Sequence, residues 1–508
     1  MGRKREDREK KPRQDPGCNL DGDYRSPIRS FQDLTGENIT AALTKSRYVQ
    51  ILLSLTVIGC ILRFYNLGFN SLWLDEASTH TFAIRSIPEI WQATTAGEFN
   101  PPLFYWIEHL MLTLGDNEFV LRFVPALLGV LTIPLMYLIG KEFFDRNAGI
   151  IAAAAVAFSP FLIYYSQEAR AYSMMLFFVA AAMVFFLLAQ KSSSLRDWGL
   201  FGLFSALAFW SHFYAIVIIA SLILYALYVQ AGKIRKDYRN LTPLAAGVAV
   251  FAVLCLPIFI VTLDLFARRS AGAPTFGIQG FGLIIETFYQ LSGSSMIAMV
   301  LLMVLFLVGI VQAFITDRDK GVLLVSVLVL TFALSYFLSF RIPMQPRYLI
   351  FLSLIYFLGA AIAYRPLCTL VPNRAVVYGI IALMILISVT SPLFLQLYTG
   401  YSKEDWRGLS GQVSKLTGPG DYVIVAPGYI YQPFDYYYSN KTDGTMELRA
   451  DSAADLESLR THKGNAAMYL LVTADITSAD PSGEALSWIE NNTRLVSRDT
   501  GVYLLTVN

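Results

Sequence analysis

Asp75 and Glu76 stand side by side in Ser71-Leu72-Trp73-Leu74-Asp75-Glu76-Ala77-Ser78, in a loop directly after the first long apolar run of the chain. Adjacent carboxylates in that position can take a proton from a hydroxyl at a membrane surface; equally, acids at the end of a membrane helix can be a solvated boundary. Three further residues could complete a reaction centre. Arg170, in Tyr164-Tyr165-Ser166-Gln167-Glu168-Ala169-Arg170, carries a planar, permanently charged fork suited to phosphate, and a helix beginning there would add its positive N-terminal end. His212 lies in Phe209-Trp210-Ser211-His212-Phe213-Tyr214 and Arg347 in Gln345-Pro346-Arg347-Tyr348. Each alone also reads as an interfacial anchor. Together they are the parts needed to ionise an acceptor hydroxyl and receive a departing phosphate.

The elements that must position these residues are membrane helices. The 508 residues are 55% hydrophobic, 14% aromatic and 15% charged, with a mean hydropathy of +0.49, which is more apolar surface than a soluble core can hide. The net charge of +2, without a basic stripe interleaved with aromatics, gives no case for nucleic acid. Cys18, Cys60, Cys255 and Cys368 are scattered and show neither a metal spacing nor a disulfide framework. About eleven spans are expected, near 49–65, 119–140, 148–165, 171–190, 197–212, 213–230, 241–263, 292–315, 321–340, 347–363 and 375–395. The polar tail 1–48 is too long and too charged for a signal peptide, and is expected to be disordered and cytoplasmic.

Lys and Arg concentrate in that tail and in alternate short connections such as 141–147, 191–197 and 233–240. By the positive-inside rule these are cytoplasmic, which places the acid loop, 167–170, His212, 264–290 and 341–347 together on the outer face of a multi-pass protein of the cell membrane. The first outer loop, 66–118, contains amphipathic pieces at 89–93 and 103–110, with Asn100-Pro101-Pro102 forcing a turn between them. They can wall a groove open to lipid and water, or simply anchor the loop at headgroup level. Beyond 399, strand-like runs at 422–425, 467–472 and 501–507 alternate with helical pieces and predict a small extracytoplasmic α/β domain, 399–508, joined to a membrane domain, 49–398. At its entrance Lys403-Glu404-Asp405-Trp406-Arg407 could touch a carbohydrate acceptor or pack on the membrane domain. Asn440-Lys441-Thr442 and Asn491-Asn492-Thr493 match glycosylation sequons.

Four segments in order, Trp73-Leu74-Asp75-Glu76-Ala77, Asn100-Pro101-Pro102-Leu103, Tyr165-Ser166-Gln167-Glu168-Ala169-Arg170 and Pro346-Arg347-Tyr348, resemble glycosyltransferase family 39, the group of dolichyl-phosphate-mannose protein mannosyltransferases and lipid A aminoarabinose transferases. The likeness covers roughly residues 49 to 365. It implies the GT-C fold, an all-α polytopic bundle with interfacial helices in the first outer loop, and a sugar donor carried on polyprenyl or dolichyl phosphate. It nominates Asp75 as general base or acceptor-binding carboxylate, with Glu76 supporting it, and Arg170 and Arg347 for the donor phosphate. His212 joins them from its position alone. Trp73, Asn100, Pro101, Tyr165, Gln167 and Glu168, which lie in the matching segments, are nominated for the substrate groove. Related enzymes can use a divalent metal; this chain shows no metal-ligand spacing and no other cofactor motif.

The reaction so implied moves a hexose or pentose, mannose-like by resemblance, from the lipid-phosphate donor to a hydroxyl of a protein, glycolipid or lipid-linked glycan, by a single inverting displacement. Two other classes stay open. A transporter or flippase of lipid-linked glycans would show an internal repeat or charge at mid-span, and the polar residues here cluster at the outer ends of spans instead. A non-catalytic scaffold would leave the acid pair and outer arginines without a task.

Overall fold

A chain that buries its backbone in hydrocarbon must satisfy every N–H and C=O internally, so its long apolar runs become helices. The structure is a computed structural model that describes residues 17–22, 24, 35–98, 100–400, 402–438 and 445–508. Eight of the described helices are long and apolar enough to cross a membrane, or ten if two bent pairs each count as one span. The bent pairs are Arg146–Phe158 with Pro160–Ser166, at 57°, and Ala375–Val389 with Pro392–Thr399, at 61°. The remaining expected span, 197–212, is the 17-residue helix Leu195–Ser211, packed between its neighbours Tyr172–Ser192 and Thr242–Arg269. The count therefore falls below the eleven expected, because a hydropathy run does not reveal a kink or a shortened helix.

Both kinks have one cause. Ser159 and Ser391 each cap a new helix with a side-chain oxygen, and the prolines that follow have no N–H to donate to the preceding turn. The carbonyls freed at the first kink are taken by the buried Arg63 of the helix Arg47–Phe64, which donates to Val156 O at 2.9 Å and Ala157 O at 3.0 Å. Ser388 donates to Phe158 O from the other side. The alanine run Ala152–Ala155 is buried in the bundle, and at Gly140 a Cβ would lie 2.5 Å from Gly149 Cα, so small residues set how closely helices Glu118–Phe143 and Arg146–Phe158 approach.

The loop 66–118 contains three short helices, Leu74–Ala83, Ile87–Ala96 and Leu103–Met111, two of them over the amphipathic pieces expected. Part of the segment 1–48 lies within the described residues. Gly36–Lys45 forms a helix, Asp21 accepts hydrogen bonds from Ser46 Oγ and the Arg47 N–H, and Cys18 pairs with Cys368 in a disulfide, which the scattered cysteine spacing did not suggest.

The C-terminal domain is a five-stranded sheet of β1 (Tyr422–Ala426), β2 (Met446–Arg449), β3 (Met468–Thr473), β4 (Thr493–Asp499) and β5 (Val502–Val507), in the order β2-β1-β3-β5-β4. β1 is parallel to β2 and β3, while β5 is antiparallel to β3 and β4. Alternate residues feed two cores: Val423 and Val425 pack with Trp406 and Leu409, whereas Ile424 packs with Leu456 and Ile489. The strands absent from the sequence reading, β2 and β4, are the polar edges. The sequon at 491–493 begins at the end of the helix Glu484–Asn492 and runs into β4; the one at 440–442 lies outside the described residues.

Candidate functional site

The helix Leu74–Ala83 begins at the acid pair and sets its two members apart. Consecutive helical residues point about 100° from each other, so Asp75 and Glu76 enter different surroundings. Asp75 faces a cavity of about 510 Å³ and keeps 22% of its side-chain surface. Its Oδ2 lies 3.4 Å from Arg347 Nη2 and 4.0 Å from Arg170 Nε, and Arg170 Nη1 also donates to the Asp75 backbone carbonyl at 3.1 Å. Glu76 turns inward and is fully buried. Its carboxylate takes a two-pronged grip from Arg122, with both contacts at 2.7 Å, and a further bond from the Ala169 N–H at 2.8 Å, while Lys403 Nζ sits 3.1 Å away.

The electrostatics follow from those partners. Burial pushes the Glu76 pKa up, but Arg122 and Lys403, with the hydrogen bonds from Arg122 and the Ala169 N–H, more than reverse this and hold it below the ordinary carboxylate range. Glu168, also fully buried, is pushed up by burial, which outweighs Lys403 at 3.5 Å. His212 caps the helix Leu195–Ser211; its pKa is lowered to about 3 by burial and by the charges of Arg170 and Arg347. It is therefore neutral at physiological pH and serves as a hydrogen-bonding ring, packed 5.4–5.6 Å from the rings of Tyr172, Tyr214 and Tyr348.

The nominated residues divide into two groups. Asp75, Asn100, Arg170, His212 and Arg347 come together on the cavity wall. Trp73, Glu76, Pro101, Tyr165, Gln167 and Glu168 do not line it. Trp73 lies beside two cations, its ring centre 5.6 Å from Arg347 Cζ and 5.8 Å from Lys403 Nζ. Pro101 is buried before the helix Leu103–Met111, and Tyr165 is buried against Phe161 and Tyr172. Gln167 Nε2 donates to the carbonyls of Leu62, Arg63 and Tyr65, closing the end of the first span.

Sequence reasoning missed several cavity residues. Tyr172, Tyr214 and Tyr348 lie within two residues of Arg170, His212 and Arg347, and that proximity was the available signal. Glu98, which accepts from Tyr105 Oη at 2.7 Å, and Arg269, which donates to the Gly97 carbonyl, gave none. From these polar groups the cavity runs between aliphatic and aromatic side chains, Ile216, Val217, Leu265, Phe266, Leu334 and Leu338 among them. The cavity wall thus combines charged groups with a large share of hydrocarbon. Among the described residues no group of three or more His, Cys, Asp or Glu side chains is placed to hold a metal ion. Asp75 meets guanidinium groups where a metal would need further donors, so these residues do not fit a resident metal.

Residues 100–260 match the family model described as dolichyl-phosphate-mannose-protein mannosyltransferase. An uncharacterized protein of Aquifex aeolicus is 34% identical over 107 residues, a stretch that spans 20% of this chain and about a fifth of that relative's length. The fold match is far broader. ArnT from Cupriavidus metallidurans, bound to undecaprenyl phosphate, superposes with a TM-score of 0.59 at 13% identity over 90% of this chain and 98% of its own. The oligosaccharyltransferase AglB from Archaeoglobus fulgidus, in complex with an inhibitory peptide and a dolichol-phosphate, superposes at 0.52 and 16% identity over 92% of this chain and 75% of its own. The chain therefore has the fold of these structures, the GT-C fold that the resemblance of its segments implies.

Proposed function

We propose that this protein is an integral membrane glycosyltransferase that moves a sugar from a polyprenyl-phosphate donor to an acceptor hydroxyl on the outer face of the cell membrane, mannose-like sugars being the first candidates. One observation carries the reading: a single cavity is lined both by Asp75, Arg170 and Arg347 and by aliphatic and aromatic side chains. A lipid-linked phosphosugar has that same combination of charge and hydrocarbon. The match to the mannosyltransferase family model over residues 100–260 supports the same class.

In this reading Arg170 and Arg347 bind the donor phosphate and offset its charge as it departs, with His212 and Tyr348 beside them as hydrogen-bonding groups. The same two arginines hold Asp75 in the absence of donor. Phosphate arriving between them competes for their N–H groups and releases Asp75 toward the acceptor. Asp75 then removes the hydroxyl proton as the oxygen attacks the anomeric carbon; the bond from sugar to phosphate oxygen breaks, and its electrons leave with the phosphate. No covalent intermediate forms, so the anomeric configuration inverts. Glu76 acts behind this centre by fixing the start of its helix. No step is routed through a metal.

Membranes containing the protein, given a panel of labelled polyprenyl-phosphate sugars, test the reading. Turnover of one donor, lost in Asp75→Asn at matched expression, is the expected result. Labelled lipids that change leaflet with no donor consumed would instead identify a flippase.

A further inference from the structure

We propose that the C-terminal domain contributes a positioning residue to the transfer reaction: Lys403, which neutralises the carboxylate pair behind Asp75 and so sets the geometry of the charged groups in the cavity. This rests on the transferase reading above and adds a requirement that the reading does not contain.

Glu76 and Glu168 are both fully buried. Arg122 cannot serve both. Its Nε and one Nη2 hydrogen go to Glu76, and its other N–H groups go to the carbonyls of Leu67, Asn70 and Ser71. The second cation is Lys403, whose side chain is 6% exposed and whose Nζ lies 3.1 Å from Glu76 and 3.5 Å from Glu168. Two carboxylates thus meet two cations, one from the bundle and one from the segment leading into the C-terminal domain. Without Lys403 the cluster keeps an uncompensated buried charge, which must take up a proton, draw in water or move apart.

Any such movement reaches the cavity through very short lengths of chain. Glu76 is the residue after Asp75. Glu168 is two residues before Arg170, and the Ala169 N–H between them donates to Glu76. Lys403 is held in place by its neighbours: the Ser402 N–H donates to Asn70 Oδ1 at 2.9 Å, Ser71 Oγ donates to Asp405 Oδ1 at 3.0 Å, and the Arg407 N–H donates to Ser71 Oγ at 3.2 Å. The entrance of the C-terminal domain is therefore bonded to the loop that carries Asp75.

The test compares wild type, Lys403→Met, Lys403→Arg, Glu168→Gln and the Lys403→Met/Glu168→Gln double variant as full-length detergent-purified protein. Each is read by melting temperature and by kcat and KM for the polyprenyl-phosphate sugar that wild type uses. Lys403→Met is expected to lower the melting temperature and to reduce kcat by at least about tenfold, with KM changed less than about threefold. Lys403→Arg retains most activity. The double variant, whose buried charges balance again, recovers both the melting temperature and kcat toward the wild-type values and above those of Lys403→Met alone. Wild-type kcat in Lys403→Met, a double variant as impaired as the single, or a loss confined to KM would overturn the proposal. If Lys403→Met does not accumulate, accumulation of the double variant supports the charge balance and its failure overturns it. A wild-type protein that transfers no sugar removes the transferase reading itself, a result visible before any variant is compared.

Discussion

Two ion clusters lie back to back in this molecule and share the chain between Asp75 and Glu76. On the cavity side, Asp75 stands between Arg347 and Arg170 at 3.4 and 4.0 Å, partly exposed, in a space large enough for a ligand. On the inner side, Glu76, Arg122, Lys403 and Glu168 are excluded from water, and every N–H of Arg122 has a partner. The inner cluster is buried, and Glu76 and Arg122 in it are fully engaged with each other and with the backbone. The outer cluster is loose, and its arginines can exchange a carboxylate for a phosphate. Residue type does not separate structural from chemical charge here; the number of partners already in place does.

That contrast is broken most severely from the inside. Arg122→Met leaves Glu76 buried beside a single cation and is expected to lose about 3–5 kcal/mol of stability. Thermal unfolding and the amount of folded protein in membranes measure it, and a variant as stable as wild type would show that the inner cluster is not holding the loop. Asp75→Asn is expected to keep its melting temperature while transfer falls roughly a hundred- to ten-thousand-fold, the range of a lost general base. Arg347→Lys keeps the charge but not the planar fork, and should weaken donor binding by about tenfold, read as a rise in KM at nearly constant kcat.

The smallest effect concerns His212. Its folded-state pKa is depressed to about 3 from an ordinary 6.5, so the unfolded chain binds a proton that the native site refuses. Its contribution to stability is therefore full above pH 6.5 and is lost as pH falls toward 3, with a slope on the order of 1 kcal/mol per pH unit. Glutamine in its place should flatten that part of a plot of stability against pH. An unchanged slope would mean that the imidazole already accepts a proton in the native protein.

Much of this arrangement is legible in the sequence where local patterning decides it. Hydropathy locates the span regions, and the amphipathic pieces at 89–93 and 103–110 become helices because their apolar residues recur on one face. Asp75, Arg170, His212 and Arg347 are legible as polar residues at the ends of apolar runs. What is not legible depends on which way a side chain turns. Glu76 and Glu168 look as available as Asp75 until the helix start and the Ala169 N–H turn them inward. Gln167 reads as a groove residue until a helix end claims its amide. Lys403 could touch a carbohydrate, and instead it reaches a carboxylate from a distant part of the chain. The Cys18–Cys368 bridge is illegible for the same reason, since its two residues are 350 positions apart.

The most direct test of the account sets Asp75→Asn beside Glu76→Gln in one preparation and reads transfer and melting temperature for each. The account predicts a stable, inactive protein for the first and a destabilised protein for the second, with its loss of transfer accompanying its loss of fold. A destabilised Asp75→Asn beside a stable, inactive Glu76→Gln would contradict it, and would move the chemistry to the carboxylate assigned here to structure.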